Sequence, residues 1–357
     1  MRNFICTKNE NFPDSGSVCW TSPSNIALVK YWGKKPVQIP ANSSLSFTLN
    51  ECYTKTKIDF KKSDEFKIEL FVDGVENVEF LKKIETFLSR IKQFCPYIFT
   101  YKLSIHTENT FPHSSGIASS ASGMSALALC LISIERIACK LSENEFLKKA
   151  SFISRLGSGS ACRSVYGPIG VWGKHPSFFE SNDEFAVAYN SVHPIFTNFQ
   201  DTILLVDKGK KQVSSTLGHQ LMNNHPFSEL RYDQAKENLE KLKKILTNGD
   251  ITSFIQLVES EALTLHAMMM TSSPYFILMK PNTLSIIHEI WEFRRSKKVP
   301  LCVTLDAGAN IHLLYPEKVK SQVLEFVEDN LVVFCENQQY ICDRVGNGPN
   351  LLMEHYA

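Results

Sequence analysis

A two-lobed α+β protein is the architecture this sequence predicts, and three observations carry the expectation. Strand-like and helical segments are mixed without the regular alternation of a doubly wound sheet. The texture changes at the Pro/Ser/Gly/Ala-rich stretch from Phe111 to Gly123, beyond which apolar residues recur at helical spacing. A polar, turn-rich stretch from Ser181 to Asn198 then parts two halves that each carry strands and helices, which places the lobes at residues 1–190 and 191–357.

In chain order, Phe66–Val72 is an apolar-rich strand closed by the hairpin-type turn Asp73-Gly74, and Tyr101–Thr107 is another strand. Met124, Leu127, Ala128, Leu131 and Ile134 then mark a helix face. A second helix opens on a capping box from Ser142 to Glu145 and aligns Phe146, Ala150 and Ile153. The second half starts with a strand at Thr202–Val206. Helices follow near Tyr232–Leu246, Ile251–His266 and Thr283–Arg294, the last expected to turn Leu284, Ile287 and Trp291 inward. Leu301–Leu305 and Ile311–Tyr315 are short apolar strands, Pro316 opens a last helix, and Leu331–Cys335 is expected as a last strand.

Composition narrows the function. With 38 basic and 37 acidic residues the net charge is +1, so the chain has no overall electrostatic footprint for nucleic acid or an anionic membrane. The longest strongly apolar run, Ala126–Ile134, is far short of the roughly 20 residues that span a bilayer. Arg2, Lys8 and Glu10 interrupt the N-terminus, which does not read as a signal peptide. The ten cysteines form no CxxC pair and are expected as reduced, mostly buried thiols. A cytoplasmic enzyme or small-molecule binder is the expectation.

Four segments can carry chemistry. In Pro112-His-Ser-Ser-Gly-Ile-Ala-Ser-Ser120, small residues let backbone N–H groups approach a ligand, and the following helix adds its positive end, a recipe for holding a di- or triphosphate. A solvent-facing serine loop before a core helix fits the same residues. It is neither a Walker A motif nor a GxGxxG fingerprint. In Leu156-Gly-Ser158-Gly-Ser160-Ala-Cys-Arg163, hydroxyls and a guanidinium suit a carboxylate or phosphate, although a capped helix end with a solvated arginine also fits. An apolar strand from Asn25 delivers Lys30, Tyr31 and Lys34 to its end, as either a phosphate site or an exposed edge. Asp306, in the turn Asp-Ala-Gly-Ala-Asn310, is placed either to serve as a general base or to close its own turn. His219 and His225 lack partners at metal-ligand spacing, so no zinc site is expected.

Together the segments match one family. In order along the chain stand SPSNIALVKYWGKK with IPANSSLSFTL, FPHSSGIASSASG, LGSGSACRSVYG, VSSTLGHQL from Val213 to Leu221, and TLDAGAN. On these stretches the chain resembles the diphosphomevalonate (mevalonate diphosphate) decarboxylases of the GHMP kinase superfamily. The resemblance implies the two-lobed GHMP kinase-type fold with its active site in the cleft between lobes. It implies ATP-dependent decarboxylation of 5-diphosphomevalonate to isopentenyl diphosphate, ADP, phosphate and CO₂, through phosphorylation of the 3-hydroxyl. A phosphomevalonate decarboxylase, a 3-hydroxyl kinase of the same superfamily and a catalytically silent ligand-binding relative are the alternatives.

By the same resemblance Asp306, Arg163, Lys30 and Ser120 are catalytic. Tyr31, Trp32, Gly33, Lys34, Ser158, Gly159, Ser160, Ala161, Cys162, Arg163 and Thr216 contact substrate, and Ser114, Ser115, Gly116, Ile117, Ala118, Ser119 and Ser120 hold ATP. Mg²⁺ would accompany the nucleotide, with no ligand residues assigned, and a homodimer is the implied assembly. Lys82, Lys83 and Arg90 are candidates for a further basic contact to the diphosphate.

Overall fold

The computed structural model describes residues 4–6, 12–112, 117–209 and 215–357. The first half contains β1 (Ser15–Val29), β2 (Lys34–Lys35), β3 (Ile39–Pro40), β4 (Ser44–Lys62), β5 (Lys67–Val72), β6 (Val75–Glu76), α1 (Val78–Ile91), β7 (Tyr101–Asn109), α2 (Ser119–Cys139), α3 (Glu143–Gly157), β8 (Ile169–Trp172) and β9 (Val187–Ala188). The second half contains β10 (Gln200–Leu204), α4 (Ser215–Leu221), α5 (Ser228–Asn248), α6 (Ile251–Met270), α7 (Pro281–Lys297), β11 (Cys302–Thr304), β12 (Ile311–Tyr315), α8 (Lys320–Phe326), β13 (Tyr340–Arg344) and β14 (Asn350–Tyr356).

One sheet runs β14-β1-β4-β7-β5-β6, with β8 on β4 and β9 on β8; a second runs β11-β12-β10-β13. The last strand returns to the first sheet, where Tyr356 pairs with Gly16, whereas β13 lies in the second. Asp343 joins the sheets: its carboxylate accepts the backbone N–H groups of Asn50, Glu51 and Cys52 at 2.8–2.9 Å.

The expected hairpin turn and the α3 capping box both form, the latter with Ser142 N–H donating to Glu145 Oε2 at 2.9 Å. The long strands β1 and β4 are less legible because they bury polar side chains. Ser22 shares a hydrogen bond with Ser125 of α2, and Thr54 with Ser122 at 2.7 Å. These satisfied hydroxyls bind α2 to the sheet and interrupt the apolar alternation that reads as a strand. Serines, alanines and a glycine extend α2 to 21 residues, long and apolar enough to cross a membrane by those measures alone. Of its most apolar 18 residues, 67% are buried inside the protein.

Two expectations are corrected. Leu331–Cys335 is not a strand: a tight helical turn occupies Val332–Phe334, directly after the wide turn Val327–Leu331 that continues α8. Leu331 and Cys335, four residues apart, are the buried positions, which is helical spacing despite the β-branched run. In α7, Leu284 is 47% exposed, while Ile286, Ile287 and Ile290 face inward. Thr283 sets that phase, since its hydroxyl is buried and donates to Ala309 O at 2.8 Å. Trp291 is half-buried and donates its Nε1–H to Glu259.

Candidate active site

The site assembles where β1 ends between the two sheets. Lys30, the residue after β1, is only 1% exposed, and its Nζ donates to Thr304 Oγ1 at 2.7 Å. Thr304 closes β11, so the same register that seats Lys30 carries the chain two residues on to Asp306. Burial pushes the Lys30 ammonium down to about 8. The charges of Asp306 and Glu261 oppose that shift, while Arg163 and Arg231 add to it.

Asp306 is half-buried in the turn between β11 and β12. Its backbone carbonyl accepts Gly308 N–H at 2.8 Å and the His266 Nε2–H at 3.2 Å. Asn310 exchanges two hydrogen bonds with the Asp207 backbone, at 2.9 and 3.0 Å, and fixes the far side of the turn to the end of β10. The Asp306 carboxylate lies within electrostatic reach of Lys30, Arg163, His219 and His266.

Arg163 is 2% exposed in the helical turn Gly159–Val165 that follows α3. Nε donates to Ser46 Oγ at 3.0 Å, Nη1 to Ser44 Oγ at 2.5 Å and Nη2 to Asn25 Oδ1 at 3.2 Å. Burial holds its proton affinity below the usual guanidinium range. Ser44 and Ser46 alternate along β4 on the face turned to Arg163, so the polar stretch before Phe47 is a cradle for the guanidinium.

The serine-rich segment and the Arg163 segment meet. Ser120 Oγ lies 3.4 Å from Ser158 Oγ, and Ser24 donates to Ile117 O, tying the loop's exit to β1. Ala118 takes a left-handed conformation, φ 50°, before Ser119 starts α2, and as the N-cap residue it has no side-chain acceptor to cap that helix. Ala121 N–H turns back to Ala118 O at 2.8 Å, while the N–H groups of Ser119 and Ser120 have no acceptor among the described residues, and such donors fit a nucleotide phosphate. Ser114, Ser115 and Gly116 lie outside the described residues, as does the Thr216 side chain.

Tyr31 packs edge-on against Trp172, ring centroids 4.7 Å apart, and its buried hydroxyl has no hydrogen-bond partner among the described residues. Gly159 makes room for it: a Cβ there would stand 2.8 Å from the Tyr31 oxygen. Ser160 contributes its carbonyl to Asn25 Nδ2 at 3.3 Å, and the Cys162 thiol is buried, pushed up to about 12 and unsuited to nucleophilic work. Gly33 has φ +98°, a conformation that favours glycine. Its N–H donates to His219 Nδ1 at 3.0 Å, so His219 carries its proton on Nε2. Trp32 lies 4.7 Å from the His219 ring and leaves Gly218 no room for a side chain.

Lys34 is half-buried, and both burial and the nearby Arg90 charge lower its proton affinity. Arg90, whose Nη1 donates to Leu156 O at 3.0 Å, is thus the basic residue of the three that neighbours Lys34; Lys82 and Lys83 are exposed on α1.

His219, Ser44, Ser46, Glu261 and Arg231 escaped sequence reasoning as site residues. The histidine lacks metal spacing, and the others look like ordinary strand or helix polar positions. Among the described residues, a trio of metal-ligating side chains occurs at Cys6, Glu135 and Cys139, at the opposite end of α2 from Ser120.

Comparison with known proteins shows the family. Residues 22–184 match the diphosphomevalonate decarboxylase-like N-terminal domain, and residues 202–352 the mevalonate 5-diphosphate decarboxylase C-terminal domain. The diphosphomevalonate decarboxylase of Debaryomyces hansenii is 30% identical over 322 residues, 85% of this chain and 80% of its own. The crystal structure of mevalonate diphosphate decarboxylase from Staphylococcus aureus has a TM-score of 0.82 at 27% identity, covering 95% of this chain and 98% of its own. MDDEF, solved in complex with MVAPP, AMPPCP and magnesium, has a TM-score of 0.80 at 28% identity, covering 95% of this chain and 99% of its own. Matched in both halves and over most of its length, the chain belongs to the diphosphomevalonate decarboxylases, an α+β family of the GHMP kinase superfamily.

Proposed function

We propose that this chain catalyses the ATP-dependent decarboxylation of 5-diphosphomevalonate, and the observation that carries the reading is the convergence of Lys30, Asp306 and Arg163. One carboxylate and two buried cations lie within electrostatic reach of one another, and the loop that carries Arg163 meets the first turn of α2. A tertiary alcohol is a poor nucleophile and a poor leaving group, so it must first be phosphorylated. The Asp306 carboxylate accepts the 3-hydroxyl proton as that oxygen attacks the γ-phosphorus of ATP and ADP departs. The C3–O bond then breaks with release of phosphate. The electron pair of the bond to the carboxylate forms the new C=C bond, leaving CO₂ and isopentenyl diphosphate.

Arg163 orients the carboxylate with the guanidinium N–H groups that Ser44, Ser46 and Asn25 leave available. Lys30 offsets the negative charge gathered at the reacting oxygen and at Asp306. Tyr31, Lys34 and Arg90 form the contact for the diphosphate, and the second cation beside Lys34 supports a diphosphate over a monophosphate. The backbone of Ile117, Ala118 and Ser119 and the hydroxyl of Ser120 receive the ATP phosphates together with the loop residues before them. Mg²⁺ would be held through those phosphates, beside the Ser119 and Ser120 hydroxyls, and would neutralise their charge. All ten cysteines are thiols, which supports a reducing, cytoplasmic setting.

The deciding experiment is turnover of mevalonate, its 5-phosphate and its 5-diphosphate under one set of conditions, with ADP and CO₂ both measured. Equal ADP and CO₂ from the diphosphate is expected. ADP without CO₂ would make the protein a kinase, and no turnover of any of the three would make it a binding relative.

A further inference from the structure

Behind the proposed site lies a buried ion pair that the reaction does not touch. Glu261 of α6 is 0% exposed and accepts four hydrogen bonds. Oε2 receives Lys30 N–H at 2.9 Å and Arg231 Nη2 at 2.6 Å; Oε1 receives Arg231 Nη1 at 3.1 Å and Asn238 Nδ2 at 2.6 Å. Arg231, on α5, also donates through Nη2 to Lys30 O at 3.3 Å. The Lys30 residue is therefore gripped at both its N–H and its C=O by one ion pair from the second half of the chain. Asn42 Nδ2 donates to the same carbonyl at 2.9 Å, its second hydrogen bond and the third hold on the Lys30 backbone.

Such a pair is costly to bury, and a pair of apolar residues would fill the same volume without that cost. What apolar residues cannot supply is a fixed anion behind a buried ammonium. The charged or titratable groups around Lys30 are Asp306 after β11, Glu261 and His266 on α6, Arg231 on α5, Arg163 after α3 and Asp201 on β10. Two of these, Arg163 and Arg231, are cations that oppose a third positive charge at Lys30, so Glu261 and Asp306 must offset them. Asp306 is committed to the 3-hydroxyl proton during turnover. Glu261 is not.

We propose that Glu261, clamped by Arg231, is a positioning residue for Lys30: it fixes the Lys30 backbone between the two halves of the protein and supplies the standing counter-charge behind its ammonium. This rests on the reading of Lys30 as the cation at the reacting oxygen.

The experiment compares Glu261→Gln, Arg231→Lys, the paired Glu261→Gln/Arg231→Gln and, as a control, Glu259→Gln in the full-length enzyme. Glu259 is two residues along α6 and binds Arg294 and Trp291 instead. The readouts are kcat, the pH dependence of kcat/KM, thermal unfolding, and the Lys30 titration followed by NMR of lysine-labelled protein, with Lys30→Arg to assign the signal. In the parent the alkaline limb falls near pH 8, where Lys30 loses its proton. Glu261→Gln lowers that limb and the NMR titration by on the order of one pH unit and cuts kcat about tenfold at neutral pH. Arg231→Lys keeps the charge but loses the two-pronged hold, so kcat falls while the limb stays.

The paired variant avoids stranding a buried guanidinium and keeps the test open if Glu261→Gln does not fold. Glu261 acts on Lys30 more strongly than Arg231 does, so its limb also moves down, by less. Glu259→Gln loses thermal stability and leaves the limb in place. An unmoved Lys30 titration in both charge-removing variants overturns the proposal, as does an equal shift in Glu259→Gln. A parent enzyme that turns over no mevalonate derivative defeats the functional reading, while the NMR titration still decides the role of Glu261.

Discussion

Replacing Arg163 by lysine separates a decarboxylase from a kinase, because only the former needs the carboxylate held throughout. The guanidinium has five N–H groups, and three are directed at Ser46, Ser44 and Asn25. Two remain, one on each terminal nitrogen, the geometry that meets a carboxylate in two-point fashion. A lysine keeps the charge, but its three donors cannot serve three protein acceptors and both carboxylate oxygens. The loss of one charge-assisted hydrogen bond is about 1.5–3 kcal/mol, or roughly a 10- to 200-fold fall in kcat/KM. ADP release in a coupled assay and CO₂ capture should decline together, since a misaimed substrate is phosphorylated poorly as well. ATP affinity, read with a fluorescent analogue, should stay near the parent value because the N-terminus of α2 is untouched. Parent-like turnover would refute the role, and so would ADP formation that persists while only CO₂ is lost slightly.

Three further outcomes are expected. Asp306→Asn removes the base and its charge at constant shape, so kcat should fall by about 10²-fold or more with little change in substrate affinity; parent-like kcat would take Asp306 out of the proton transfer. In Gly218→Ala the new Cβ would stand 2.5 Å from the Trp32 ring, so α4 or Trp32 must shift. KM for the phosphorylated substrate should rise and tryptophan fluorescence change, with overpacking costing about 1–3 kcal/mol in chemical denaturation. Burial depresses His219 to about 3 and His266 to about 4, from an ordinary 6.5. Below pH 6.5 the unfolded chain takes up protons that the folded one refuses, so stability present above that value is lost as pH falls toward 4. Each histidine contributes at most about 2 kcal/mol between pH 6.5 and 5. Denaturant melts at both values should show the slope, and His219→Gln, which still accepts from Gly33, should flatten it.

The sequence by itself determined the reaction class, and it singled out Lys30, Arg163 and Asp306, which the structure brings within electrostatic reach of one another. Residues that a chemistry needs close to the backbone must be small or of one type, so Gly159, Ser160 and Arg163 stand together in a short string, as do Lys30 to Lys34. Local signals served the elements well where one turn or cap decides them, as with Asp73-Gly74 and the Ser142–Glu145 box. They failed where neighbours decide. The β-branched run before Cys335 reads as a strand until the preceding turn shows it continuing a helix, and Leu284 reads as core until Thr283 is seen to fix the phase of α7. The polar lengths of β1 and β4 hide as strands because their hydroxyls find partners on α2 and Arg163, pairings far apart in sequence. Only the tertiary structure brought the Arg90 charge within reach of Lys34, His219 to Gly33, and Glu261 and Arg231 to the Lys30 backbone. A charge's proximity to another charge is a property of packing, and no spacing along the chain encodes it.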